Sequence, residues 1–399
     1  MKQVADLSVE FAGKRFKNPL VAASATPTKD WKSMKKAVDA GFAGVVAKSL
    51  FGNKAAAGRS YPRPRFKLFG WRDYSGYPNR IPKYFTLHSL EECSAFDYDD
   101  YVRDINRTKQ VVGEEGVVIA SISGSTNEEW DELCEVVNGT RADLCEVNIS
   151  CPFAADMGIK MGAGAVDEAP DIVRAVKKRL ALPFSVKLSP QVLDMLPIAK
   201  AVEEAGADAL TLQARLSGIM IDIETAKPIG WGSAGGYGGP YLLGYGLKWV
   251  SRIAPKVKVP ISAVLGVWDW EDIIRYTMVG ATTVQSAAAL MMRGFDVSKT
   301  WLDGITTWMD KKGYDSIDEL RGRALKNIVT TKEVERAPPA SVHVDQKKCI
   351  GCDECVMSCF YDAITLNNRD PSIDAEKCDV CGMCVEKCPT GVFTIVKKK

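Results

Sequence analysis

Short runs of β-branched and other apolar residues alternate with longer stretches in which apolar positions recur every three or four residues, from near the N-terminus to about residue 290. The runs predict strands at residues 19–23, 44–48, 117–121, 144–149, 184–188, 209–213, 260–264 and 283–286. Segments 31–40, 172–180, 196–205 and 270–279 carry the helical period between them, several closing on Ala-Gly where the next strand resumes. Regular alternation predicts an α/β fold with a parallel sheet covered by helices. Eight strands favour a closed (β/α)8 TIM barrel over an open sheet.

The alternation breaks in three places. A long aromatic-rich insertion, residues 61–101, follows the second strand and is expected to form either a lid or a small core of its own. A stretch at 330–341 containing Ala337-Pro-Pro-Ala-Ser341 reads as a linker, which divides the chain into a barrel at 1–329 and a second domain at 342–399. That second domain is dominated by cysteine.

Cys349, Cys352, Cys355 and Cys359 repeat a C-x2-C-x2-C-x3-C spacing with Cys378, Cys381, Cys384 and Cys388. This is the bacterial ferredoxin run for [4Fe–4S] clusters, in which the last cysteine of each run ligates the other cluster. Cys349, Cys352, Cys355 and Cys388 are therefore assigned to one cluster, and Cys378, Cys381, Cys384 and Cys359 to the other. Both repeats open on Asp-x-x-Lys-Cys and close on Ile-Thr or Phe-Thr-Ile. The tail is expected to be an α+β two-cluster ferredoxin-like domain that conducts electrons. A disulfide scaffold would need an oxidising compartment, and zinc sites usually pair C-x2-C units across a longer gap. Pro389 follows the second run as expected, whereas Phe360 follows the first.

A net charge of +2 gives no reason to expect a nucleic-acid partner, and no run of eighteen apolar residues predicts a membrane span. With no apolar targeting segment ahead of Asp6, the expectation is a soluble cytoplasmic protein. Only His88 and His343 are present, so acid–base chemistry falls to Cys, Lys, Tyr, Asp or Glu.

A barrel carries its chemistry where strands end. The fourth predicted strand runs into Glu146-Val-Asn-Ile-Ser-Cys-Pro152, which puts Cys151 at that rim among polar neighbours. Cys93, Cys134 and Cys145 read as structural thiols. Lys48 and Lys187 end apolar strands, where an ammonium is costly unless an anion or acceptor compensates it. A flavin whose N1–C2=O edge becomes anionic on reduction would account for both lysines, and flavins also connect one-electron relays to two-electron chemistry. Gly238, Gly239, Gly266 and Gly280 fall around the later strands, where such barrels commonly hold a phosphate. Neither Gly236-Tyr-Gly-Gly239 nor Gly162-Ala-Gly164 has the context of a dinucleotide fingerprint.

Asn18-Pro-Leu20, Ala23-Ser-Ala-Thr-Pro27, Lys48, Ile119-Ala-Ser-Ile122, Glu146-Val-Asn-Ile-Ser-Cys-Pro152, Val186-Lys-Leu-Ser-Pro190 and Ser217-Gly-Ile-Met220 resemble the dihydropyrimidine dehydrogenases and, more broadly, the class 1 dihydroorotate dehydrogenases. The resemblance covers nearly the whole chain, the cysteine-rich tail included. It implies FMN in the barrel and two [4Fe–4S] clusters in the tail. It also implies Cys151 as general acid beside a carbonyl-conjugated C=C bond, Lys187 stabilising reduced FMN, and Lys48, Ala23, Ser24 and Thr26 along the flavin. Asn127 and Asn148 would hold the substrate. The family's Asn-Thr pair after the sixth strand is Ala214-Arg215 here, its His-Gly-Met-Gly loop reads Phe153-Ala-Ala-Asp-Met-Gly158, and a Gly-Gly after the seventh strand is Leu265-Gly266. Arg215 would suit an anionic substrate or serve in a structural salt bridge.

These readings predict an FMN and iron–sulfur oxidoreductase of CH–CH bonds, oligomeric, fed by an NAD(P)H-oxidising flavoprotein subunit or by ferredoxin, with uracil or thymine as substrate. The alternatives are the same chemistry on a non-pyrimidine, possibly charged, substrate, dihydroorotate dehydrogenation, and an electron-transfer subunit whose barrel is only a docking platform.

Overall fold

Eight parallel strands close into a barrel in the computed structural model, which describes residues 5–52, 64–70, 85–91, 94–150, 168–334 and 340–397. We number them β1 (Leu20–Ala22), β2 (Gly44–Val46), β3 (Val117–Ser123), β4 (Leu144–Asn148), β5 (Phe184–Lys187), β6 (Ala209–Leu212), β7 (Ile261–Ala263) and β8 (Thr283–Ser286). Each pairs in parallel with its neighbours in chain order, and Val284↔Leu20 and Gln285↔Val21 join β8 to β1. All eight expected strands form, several a residue or two shorter than expected: Ala47 and Lys48 lie past the end of β2, where the Lys48 amide donates to the Thr28 carbonyl at 3.1 Å.

The strands are buried on both faces, which is why they read as continuous apolar runs instead of alternating ones. Helices Trp31–Ala40, Ala169–Arg179, Leu196–Glu204 and Trp270–Met278 cover the outside where their periodicity predicts them. The first is capped by Asp30, whose carboxylate accepts from the Ser33 amide, and it ends on left-handed Gly41.

The aromatic insertion contributes Arg65–Gly70 and Phe85–Leu90 to a four-stranded antiparallel sheet with Gly235–Gly238 and Leu216–Gly218. It then leads into helix Tyr98–Val112. Tyr101 ties this helix to the barrel, its hydroxyl donating to the Ser121 carbonyl at 3.0 Å and accepting from the Ser121 amide at 2.8 Å. Along Phe85–Leu90 the side chains alternate: Leu87 and Ser89 face the barrel cavity, while His88 packs among Phe69, Trp231 and Tyr237.

The chain divides into two compact units, Met1–Leu325 and Lys326–Lys399. Within the second, Ala340–Val344 pairs with Phe393–Lys397 and Ile364–Asn367 with Asp370–Ile373, both antiparallel. Ala340 and Ser341, expected in the linker, thus belong to a strand of this unit. Two short helices, Glu354–Met357 and Met383–Lys387, complete it around a core of Cys355, Ile364, Cys384, Val392 and Phe393. Among the described residues, no helix is long and apolar enough to cross a membrane.

Candidate active site and cysteine-lined cavities

The C-terminal ends of the barrel strands and the antiparallel sheet enclose a cavity of about 1230 Å3, open mouth included. Of the residues singled out in the sequence, it brings together Ala23, Ser24, Lys48, Asn148, Lys187, Arg215, Gly238, Gly239 and Gly266. Residues of the loops after β7 and β8 line it as well, including Val264, Trp268 and Ala287.

Each lysine meets a protein carboxylate. Lys48 Nζ donates to Glu91 Oε1 at 3.0 Å, and Lys187 Nζ to Glu146 Oε1 at 3.1 Å; both pairs are nearly buried. Glu91 and Glu146 thus compensate the two ammonium groups from within the chain, while both lysines still line the cavity.

Glu91 serves three more groups. The amide and hydroxyl of Thr26 both donate to its Oε1, Arg215 Nη1 lies 3.4 Å from Oε2, and Arg215 Nη2 donates to its carbonyl at 2.7 Å. Burial alone would raise the Glu91 carboxyl, but Lys48, Arg215 and Thr26 together hold it below the ordinary glutamate value. Arg215 also donates to Ser89 Oγ at 2.6 Å. Of the two roles open to Arg215, the structure displays the salt bridge.

Arg215 lies over Gly236, where an added Cβ would sit 2.2 Å from its Nε. Gly236→Ala should displace the guanidinium from Ser89 and Glu91 and cost about 1–3 kcal/mol, the scale of overpacking a filled site. Urea denaturation checks this; stability equal to the parent would mean that Arg215 can step aside freely.

Glu146 is fully buried inside the barrel. Its Oε2 accepts from Gln285 Nε2 at 2.9 Å and Thr211 Oγ1 at 3.2 Å, opposite the Lys187 contact. On the β1–β4 side, Ser49 Oγ lies 2.7 Å from Ser121 Oγ and 3.2 Å from Ser24 Oγ, and accepts from Asn148 Nδ2 at 3.3 Å. The Ser150 amide and hydroxyl both donate to Asn148 Oδ1, at 3.1 and 2.6 Å. Cys151, and the loop with Phe153 that follows it, lie outside the described residues.

Other expected site residues fall elsewhere. Thr26 bonds Glu91 and is not among the cavity-lining residues. Asn127 is the exposed first residue of helix Asn127–Asn138, also apart from the lining. Gly280 precedes β8, at the end of the strand away from the cavity; its φ of 107° and the 2.5 Å separation between an added Cβ and Ala254 Cβ mark it as a tight helix-to-strand turn. The phosphate reading of Gly280 is corrected accordingly. Leu265, standing where glycine was expected, has φ of 102°, and its carbonyl is held by Tyr276 Oη at 2.6 Å.

The cavity lining is mixed, which suits an amphipathic ring. Val264, Leu265, Val267 and Met291 supply apolar surface, while Lys48, Lys187, Asn148, Ser150 and Gln285 bring polar groups. Gln285 Oε1 is buried with no partner among the described residues, and each ammonium gives only one of its three hydrogens to its carboxylate. Acceptor and donors of this kind are what a flavin's hydrogen-bonding edge requires.

In the second unit, two cavities of about 300 and 340 Å3 are each lined by four cysteines. Cys349, Cys352, Cys355 and Cys388 line one, and Cys359, Cys378, Cys381 and Cys384 the other. The amides of Ala363 and Val392 donate to Cys359 Sγ and Cys388 Sγ at 3.4 and 3.3 Å, the kind of contact that tunes cluster potentials.

Glu91, Glu146, Ser49 and Gln285 were not recognised in the sequence. An acidic residue inside the otherwise apolar fourth strand is a usable signal for Glu146, since a lone buried carboxylate would be too costly. Glu91 sits in an insertion whose course the pattern does not reveal.

Comparison with known proteins agrees with this arrangement. The family described as dihydroorotate dehydrogenase matches residues 6–309, and the 4Fe-4S dicluster domain matches residues 348–392. The NAD-dependent dihydropyrimidine dehydrogenase subunit PreA of Escherichia coli is 28% identical over 372 residues, covering 89% of this chain and 85% of its own. The catalytic subunits of dihydroorotate dehydrogenase B (NAD(+)) from Pyrococcus abyssi and Thermococcus kodakarensis are 32% and 31% identical, covering 80% and 81% of this chain and 99% of their own. The chain belongs to the dihydroorotate dehydrogenase family, as an FMN-binding barrel of CH–CH oxidoreductase type joined to a 4Fe-4S dicluster domain.

Proposed function

We propose that the protein interconverts a neutral pyrimidine, uracil or thymine, and its 5,6-dihydro form, exchanging electrons through two [4Fe–4S] clusters with an NAD(P)H-oxidising flavoprotein or a ferredoxin. The observation that carries the choice of substrate is the state of Arg215. Its guanidinium is engaged by Glu91 and Ser89, so Arg215, the arginine among the described lining residues, is not dedicated to a substrate carboxylate. Asn148, Ser24 and Ser150 offer the alternating donors and acceptors that a neutral heteroatom-rich ring pairs with.

The comparisons lean the same way. Matches to the dihydroorotate dehydrogenases take up 99% of those proteins yet only about four-fifths of this chain, whereas the match to the E. coli subunit covers more of this chain than Met1–Leu325 can supply. The match to the E. coli subunit therefore extends into the unit that carries the eight cysteines, which favours the dihydropyrimidine reading.

Bound FMN supplies two-electron transfer to carbon and single-electron exchange with the clusters. The chain's own residues do the rest. Lys187 and Lys48 would hold the flavin from the cavity wall, Asn148 would orient the substrate, and Cys151 would give or take the proton at the adjacent carbon; Asn127, exposed and away from the lining, is left out of this reading. Cys349, Cys352, Cys355 and Cys388 hold one cluster, and Cys359, Cys378, Cys381 and Cys384 the other.

The test is to reduce the purified protein with dithionite and follow flavin reoxidation by uracil, thymine and orotate. Uracil or thymine should reoxidise it. Failure of both with success of orotate would overturn the pyrimidine assignment, and iron without FMN in the purified protein would leave only an electron-transfer role.

A further inference from the structure

Lys48 and Lys187 both line the cavity, but their charges are balanced differently. Lys48 shares one carboxylate, Glu91, with Arg215, so that group of three carries a net positive charge. Lys187 has Glu146 to itself. The carboxylate of Glu146 is wholly inside the barrel, with Lys187 on one oxygen and Gln285 and Thr211 on the other. Glu146 thus reaches the cavity only through the groups it holds.

From this we propose that Glu146 is a positioning residue that fixes the Lys187 ammonium at the cavity wall and offsets its charge, lowering the electron affinity of the bound flavin. The inference rests on the flavin assignment above. The physical basis is that charges separated by about 3 Å inside a protein interact strongly, so a carboxylate behind the ammonium weakens the field the ammonium projects into the cavity. Holding it in place also matters, because a lysine stem has four rotatable bonds and would otherwise move. Thr211 and Gln285, from β6 and β8, brace the carboxylate from behind, which makes the position of Lys187 a property of the barrel core.

Glu146→Gln removes the charge with little change of shape. The glutamine carbonyl can still accept from Lys187. Its amide would face Gln285, whose Oε1 has no partner among the described residues and can accept after an amide flip, while Thr211 can turn to Ser185 Oγ at 3.3 Å.

The readout is sulfite, which adds to oxidised flavin and leaves a negative charge on it, so its affinity reports the local field without turnover. Glu146→Gln should retain FMN, bind sulfite about tenfold more tightly and show a higher flavin midpoint potential; tenfold corresponds to about 1.4 kcal/mol of added favourable charge interaction. Unchanged sulfite affinity and potential in an FMN-loaded Glu146→Gln protein would overturn the proposal and leave Glu146 a purely structural residue.

If the single variant does not fold, Lys187→Gln and the double variant Glu146→Gln/Lys187→Gln keep the question open to measurement. The double variant buries no unpaired charge. Glu146 acting on the flavin requires the single Lys187→Gln protein to bind sulfite more weakly than the double, and equal affinities would overturn it. Absence of FMN from the parent protein would instead defeat the cofactor assignment, so the two failures are distinct.

Discussion

If Cys151 is the general acid of the proposed pyrimidine reaction, replacing it by alanine should leave the flavin absorbance of the purified protein intact and slow turnover roughly 100-fold or more, the usual contribution of a positioned general acid. The backbone leading to residue 151 is firmly held. Ile149 and Ser150 are buried, the Ser123 hydroxyl donates to the Asn148 carbonyl at 2.8 Å, and both the amide and the hydroxyl of Ser150 converge on the Asn148 side chain. Loss of the thiol should therefore appear in the chemical step and not in FMN content. Serine should rescue little, because a hydroxyl is a far weaker acid than a thiol. Stopped-flow oxidation of the dithionite-reduced protein by uracil isolates the step; an alanine variant that reoxidises at the parent rate would remove Cys151 from the mechanism.

The barrel was legible because its strands are buried on both faces and leave a strong trace: Gly44-Val-Val46 has no polar face to confuse the pattern. The cysteines that line each cavity are the ones the two-cluster ferredoxin pattern groups, with the last cysteine of each run crossing to the other set. What could not be read was long-range charge pairing. Glu91 lies 43 residues from Lys48 and 124 from Arg215, and Gln285 lies 139 from Glu146, so no local period reports them. A lysine at the end of an apolar strand signals that an anion is near, and Glu91 and Glu146 supply it from within the chain.

Gly280 illustrates the opposite failure. A glycine near the last strand suggested a phosphate cradle, and its actual reason is a positive φ in a turn packed against Ala254. Arg215 differs again, because its two candidate roles were both open in the sequence and only the position of Ser89 and Glu91 distinguishes them. Lining residues from β1, β2, β4, β5 and β8 follow from the barrel period, whereas those from the antiparallel sheet depend on the register Phe66↔Ser89 and Gly236↔Ser89, which no short-range signal sets.

Glu91→Gln should be the costliest change at the cavity, destabilising the protein by about 3 kcal/mol in urea denaturation near neutral pH. It removes the one anion shared by Lys48 and Arg215 and leaves the nearly buried Lys48 ammonium without its counter-charge. The effect should depend on pH in a definite direction. Burial pushes the Glu91 carboxyl up, but Lys48, Arg215 and Thr26 outweigh it and hold the folded-state value below the ordinary 4.5. A carboxyl that is more acidic folded than unfolded contributes stability that is fully present above the unfolded value and is lost as pH falls through the folded one. The gap between parent and Glu91→Gln should therefore be widest above pH 5 and narrow as pH falls below the unfolded value of 4.5 and on through the lowered folded one. A gap that stays constant over that range would mean that Glu91 acts through shape and neutral hydrogen bonds, and that Lys48 and Arg215 find their compensation elsewhere in the cavity.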